Sequence, residues 1–278
     1  AGYTTKKDVS QHANVDKDLK DMSFYIDCQD GCPTARCVRA RVRVASHTRP
    51  SSRPSALLPP PQVGGIISSH WEAAATVYTS GWNSFKSATV RRTLQGFSKD
   101  MSGERVFDLY SAYYGSPTYA DDLVSDALAG TGAFAGKADI VREEVAMKGT
   151  AYLIVWMYVL HELEAAIADA EVDDAEAAVK HWDEGWAFYA GSLEGADGSG
   201  SGEMIHALAE KRCKNFATCS DGGALANAHA LAAFQTGQTC AASKDVPCMR
   251  LSFDRIVAQM TIPVLQGMLR YAYKADPA

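Results

Sequence analysis

Ala151-Tyr152-Leu153-Ile154-Val155-Trp156-Met157-Tyr158-Val159-Leu160 is an unbroken apolar run inside a longer helical pattern, Asp139 to Ala170. A bilayer span needs about 20 such residues, twice this run, so the stretch predicts a buried core helix. A helix apolar around its whole circumference is hidden only when other helices surround it. It therefore predicts the centre of a helical bundle.

The neighbouring segments supply that surround. Val172-Asp173-Asp174 opens a helix that runs past Tyr189. Upstream, Ile66 to Val77 has apolar positions at helical spacing, and Ser102-Gly103-Glu104 opens a run with Val106, Leu109, Tyr110 and Tyr113 on one face. Ala120–Ala129, Glu203–Cys213, Gly223–Phe234 and Arg250–Lys274 add further helices, the last holding Pro263, which predicts a kink. Tyr114-Gly115 and Gly191-Ser192 read as helix ends. Strand alternation is absent, so the fold class is all-α, a helical bundle.

One pattern occurs twice. His70-Trp71-Glu72 with Tyr78 and Ser80-Gly81 returns 111 residues later as His181-Trp182-Asp183 with Tyr189 and Gly191-Ser192. Spacing this long suits a duplicated subdomain rather than a solenoid unit. The expected organisation is an N-terminal segment, 1–37, packing on the bundle, an insertion, 38–62, and two helical pseudo-repeats, 63–171 and 172–278. The insertion is Arg-, Ser- and Pro-rich without helical or strand period, a composition expected to be disordered.

The net charge is −6, and the insertion's five arginines mask −11 on the remainder. That balance disfavours nucleic acid and anionic lipid as partners and suits a cationic ligand. Cys213, Cys219, Cys240 and Cys248 form an even group in polar, Gly-rich surroundings, which predicts disulfides and an extracytoplasmic, periplasmic or secreted location. Cys28, Cys32 and Cys37 form an odd group, so one of the seven stays unpaired or bonds another chain. The chain opens without a charged-then-apolar leader, and its first residue, Ala1, fits a removed signal peptide.

Two His-x-x-Glu spacings, His161 with Glu164 and His181 with Glu184, put imidazole and carboxylate on one helix face, as bundle metal centres do. His70, Glu72 and Asp183 from the repeated pattern, with Glu143 and Glu144, complete the candidate metal ligands; Glu162 is a further carboxylate in reach. Oxygen with imidazole donors suits iron, Fe2+ or Fe3+, or another divalent metal. The competing reading leaves His70 and His181 as half-buried structural residues beside tryptophan. His161-Glu162-Leu163-Glu164-Ala165 lacks the second His of a metalloprotease helix, and no nucleophile elbow, P-loop or dinucleotide fingerprint occurs, so no enzyme is predicted.

The block His181-Trp182-Asp183-Glu184-Gly185-Trp186-Ala187-Phe188-Tyr189-Ala190-Gly191-Ser192-Leu193-Glu194-Gly195 resembles the algal low-iron-inducible periplasmic proteins, the iron-assimilation or high-CO2-inducible family. His70-Trp71-Glu72, Asp27-Cys28 and Gln266-Gly267-Met268-Leu269-Arg270-Tyr271 agree with it. The likeness covers 1–37 and 63–278. It implies a periplasmic or secreted protein of green algae that assists iron uptake by binding the metal outside the plasma membrane. The expected partners are accordingly an iron ion or small iron chelate and a membrane uptake system that receives it. It implies no ligand residues. The alternative is a wall or periplasmic structural protein, or a CO2-responsive one, without a metal site.

Overall fold

The computed structural model describes residues 2–27, 70–194 and 200–275. The expected insertion, Cys28, Cys32, Cys37 and the start of the Ile66–Val77 pattern lie outside the described residues.

The described chain is all-α. Its only strands are β1 (Cys219–Ser220) and β2 (Gly223–Ala224), an antiparallel pair. The helices are α1 (Ser10–Ala13), α2 (Val15–Ile26), α3 (His70–Ser80), α4 (Arg105–Tyr114), α5 (Tyr119–Ala129), α6 (Asp139–Gly149), α7 (Trp156–Glu171), α8 (Ala175–Ala190), α9 (Ile205–Phe216), α10 (Leu225–Ser243) and α11 (Val246–Ala275). A π-helical stretch, Thr150–Val155, joins α6 to α7, so the central helix runs unbroken from Asp139 to Glu171. Over an eighteen-residue window, rather than its unbroken run alone, this helix is long and apolar enough to cross a bilayer; 61 % of that window is buried inside the bundle.

α7 lies along α8, α10 along α11, α2 along α3, and α5 along α6. Asp174 caps α8 by accepting from the Ala177 amide at 2.9 Å, as its place before the apolar period predicts. One core joins all of these, with Trp182, Tyr78, Tyr189, Phe188 and Phe234 fully enclosed. α11 continues through the buried Pro263 without a break in its helix.

α4 differs from expectation. Leu109 and Tyr113 are 67 % and 83 % exposed, whereas Phe107 is buried and Tyr110 packs on Trp156. The helix is rotated so that its aromatic rings, not the Leu109 edge, meet the centre. The N-terminal segment brings a helix that composition alone did not mark: Val15, Leu19, Met22 and Ile26 form one buried stripe of α2.

Cys213 bonds Cys219 and Cys240 bonds Cys248, closing the turns after α9 and between α10 and α11.

Candidate functional site

Seven of the nine expected ligands are held by separate partners, and the other two, His70 and Glu72, lie on α3. His161 Nδ1 bonds Glu104, Glu164 bonds Arg250, and Glu144 pairs with Lys148. Glu143 sits beside Asp27; partial burial, then the shared hydrogen bond and charge of Asp27, push its pKa up, with Lys148 opposing. His181 Nδ1 bonds Asp169 at 2.6 Å. His70 opens α3 with its ring tilted against Trp71, and Glu72 lies on the exposed face of that helix.

Asp183 is enclosed and takes four hydrogen bonds: the Tyr3 hydroxyl at 2.7 Å, the Lys6 and Lys7 amides at 2.7 and 3.0 Å, and Gln238 Nε2 at 2.6 Å. It anchors the N-terminal segment to α8 and α10. Glu184, one residue on, meets His12 Nδ1 at 2.9 Å, an Arg92 guanidinium nitrogen at 3.5 Å and Lys180 Nζ at 3.6 Å. Burial raises its pKa, but the His12 hydrogen bond and charge, then Arg92 and Lys180, leave it lowered overall.

α3 packs on α2 and α5, while α8 packs on α7 and α10. Among the described residues no group of three or more His, Cys, Asp or Glu side chains is arranged to hold a metal ion as it stands. The two His-Trp-acid copies do share local structure. Tyr78 and Tyr189 are both enclosed, their hydroxyls on Asp121 at 2.7 Å and Asn227 at 2.5 Å. Each copy ends at a glycine with positive φ, Gly81 and Gly191. α2 binds both following turns. Asp18 accepts from the Trp82 and Asn83 amides at 3.0 and 2.9 Å; Asp16 accepts from Leu193 at 3.1 Å and Glu203 at 2.9 Å.

Residues missing from the expected set therefore hold much of the buried polar chemistry: His12, Asp16, Asp18, Arg92, Glu194 and His206. The signal for two of them was two acids, Asp16 and Asp18, flanking the apolar stripe of α2. His12 also borders a shallow cleft of about 310 Å³ lined by Asp8, Gln11, Phe85, Lys86, Ser87 and Ala88.

Buried acids set the response to pH. Burial pushes Asp18 up to about 7 against its hydrogen bonds from Asn83 and Trp82. Burial, then the Glu184 charge, pushes Glu162 up to about 7 despite His181, Tyr158 and Arg92. Each folded-state pKa lies above its unfolded value, so the folded protein binds more protons between pH of about 4 and 7. Their contribution to stability is complete below about pH 4 and is lost as pH rises through about 7. Thermal melts should therefore give Asp18→Asn, a mimic of the protonated acid, a smaller fall in Tm between pH 5 and 8 than wild type. An equal fall in both would exclude Asp18.

A disulfide-bonded helical bundle whose interior is rich in carboxylates and imidazoles is the class these features define. The model of the low iron-inducible periplasmic protein family matches residues 66–278, and the chain belongs to that family. The protein's place is accordingly outside the cytoplasm. The match begins beyond the Arg-, Ser- and Pro-rich stretch, and the likeness read in 1–37 lies outside it. No curated protein and no solved structure matches the chain.

Proposed function

We propose that this protein binds iron outside the plasma membrane and passes it to a membrane uptake system, without catalysing a reaction. The observation that carries this reading is membership of a family described as low iron-inducible and periplasmic. The excess of acidic residues favours cation capture, and the carboxylate and imidazole groups of the interior are suitable iron donors. Protonation of histidine ligands, or reduction of the metal, would favour release.

Titration of the full chain with Fe(II) under anaerobic conditions and with Fe(III)–citrate tests the reading by calorimetry. Saturable binding is expected, and no heat with either form would overturn it. The double variant His181→Ala, Glu184→Ala should keep its iron affinity while melting at a lower temperature, because both groups already have protein partners. A loss of affinity in folded double variant would put the metal at those residues.

The ion pairs of Glu144, His161, Glu164, His181 and Glu184 favour a second reading, a structural component without a ligand. Elemental analysis of protein purified without chelator separates the two, since this reading expects no iron.

A further inference from the structure

Glu194 follows α8 in the turn that Gly191 opens. Its side chain is 4 % exposed, and among the described residues neither carboxylate oxygen has a hydrogen-bond partner. His206, in the first turn of α9, is 5 % exposed. Its Nδ1 faces Glu194 Oε2 at 3.5 Å and likewise makes no hydrogen bond there. Asp16, whose two oxygens accept from the Leu193 and Glu203 amides, lies beside Glu194: a Cβ added at Gly202 would lie 2.3 Å from Glu194 Oε1 and 2.9 Å from Asp16 Oδ2. The two carboxylates thus converge on the Gly202 backbone, which leaves no room for a Cβ between them.

Among the described residues, His206 is the only basic side chain in ion-pair range of Glu194. Glu203 is taken by Lys20 at 2.9 Å and Lys211 at 3.5 Å. Glu210 is held by Asn227 and the Ala224 amide, and the Tyr189 ring stands edge-on to His206 at 5.9 Å. A buried carboxylate without a hydrogen bond is rare and costly, and a second acid beside it adds to the cost. A bound cation removes both penalties.

We propose that Glu194, His206 and Asp16 form a metal-cation site, with both Glu194 oxygens, His206 Nδ1 and the Asp16 carboxylate as donors. Oxygen-rich donors with one imidazole select a hard to borderline ion of the Fe(II), Mn(II) or Fe(III) kind over Cu(I). The donors do not surround one point as they stand, and the ion draws them together beside Gly202. The site is a cation site on its own geometry; naming iron as its physiological occupant rests on the proposed function.

The test uses the full chain, with Mn(II) alone as a redox-stable probe and Fe(II) under anaerobic conditions, read by calorimetry and thermal melting. Wild type should bind and melt higher with metal. Glu194→Gln should bind about tenfold or more weakly and lose the metal-dependent rise in Tm. Its metal-free Tm should equal or exceed that of wild type, because an unpaired buried charge is gone. His206→Asn, which keeps the acid, should weaken binding similarly and serves if the first variant does not fold. Wild-type affinity in both variants overturns this site and leaves the iron reading standing. Wild type that binds neither ion, nor Fe(III)–citrate, overturns both.

Discussion

Trp182→Ala should cost about 3–5 kcal/mol of folding stability, the range for truncating a large, fully enclosed aromatic side chain. Trp182 has no exposed surface, and its Nε1 donates to the Phe234 carbonyl at 2.9 Å. Its ring lies so close to α10 that a Cβ on Gly237 would come within 1.8 Å of Cζ2. Gly237→Ala should therefore also destabilise, by about 1–3 kcal/mol through overpacking. The two changes should not add. The alanine at 182 opens the space that the new methyl needs, so the double variant should lose less than the two single losses together. Urea denaturation of the four proteins measures this; strict additivity would mean that the ring and the glycine do not constrain each other.

The equivalent tryptophan of the first copy gives the comparison. Trp71 keeps 9 % of its surface, its Nε1 has no hydrogen-bond partner among the described residues, and the Arg142 guanidinium covers its face at 3.9 Å. Trp71→Ala should cost less than Trp182→Ala. The inequality also bears on the repeated pattern: spacing was kept in both copies, but depth in the core was not.

Helical periodicity made the fold readable because a bundle is built from it. The run Ala151 to Leu160 lies at the centre, and Asp174, Gly115 and Gly191 start or end helices where their chemistry requires. The rotation of α4 was not legible, since Leu109 and Phe107 are both apolar and only the surrounding aromatic rings decide between them. The polar interior was harder still. His-x-x-Glu spacing shows that two side chains share a helix face, not which distant residue meets them. His161 and Glu164 share such a spacing, yet one goes to Glu104 and the other to Arg250. Glu194 lies in the turn after α8 and His206 in α9, and they belong to no pattern, so only the fold brings them together.

Asp183→Ala should release the N-terminal segment from the bundle and cost about 3 kcal/mol. Hydrogen bonds to a charged group contribute about 1.5–3 kcal/mol each, and Asp183 accepts four. The full sum is not expected, because the Lys6 and Lys7 amides regain water once the segment lifts away. The Tyr3 ring, stacked on Trp186 at 4.6 Å, would leave with it and expose apolar surface. The effect has a local readout, since trypsin cuts after lysine and the Lys6–Lys7 backbone is held down by this carboxylate. Limited trypsinolysis should leave these bonds intact in wild type and cleave them early in Asp183→Ala, with matching loss of amide-exchange protection at Lys6 and Lys7. Unchanged cleavage would show that the stacked rings alone hold the segment. Iron affinity gives the second readout: an anchoring carboxylate can be removed with the metal still bound, whereas a ligand cannot.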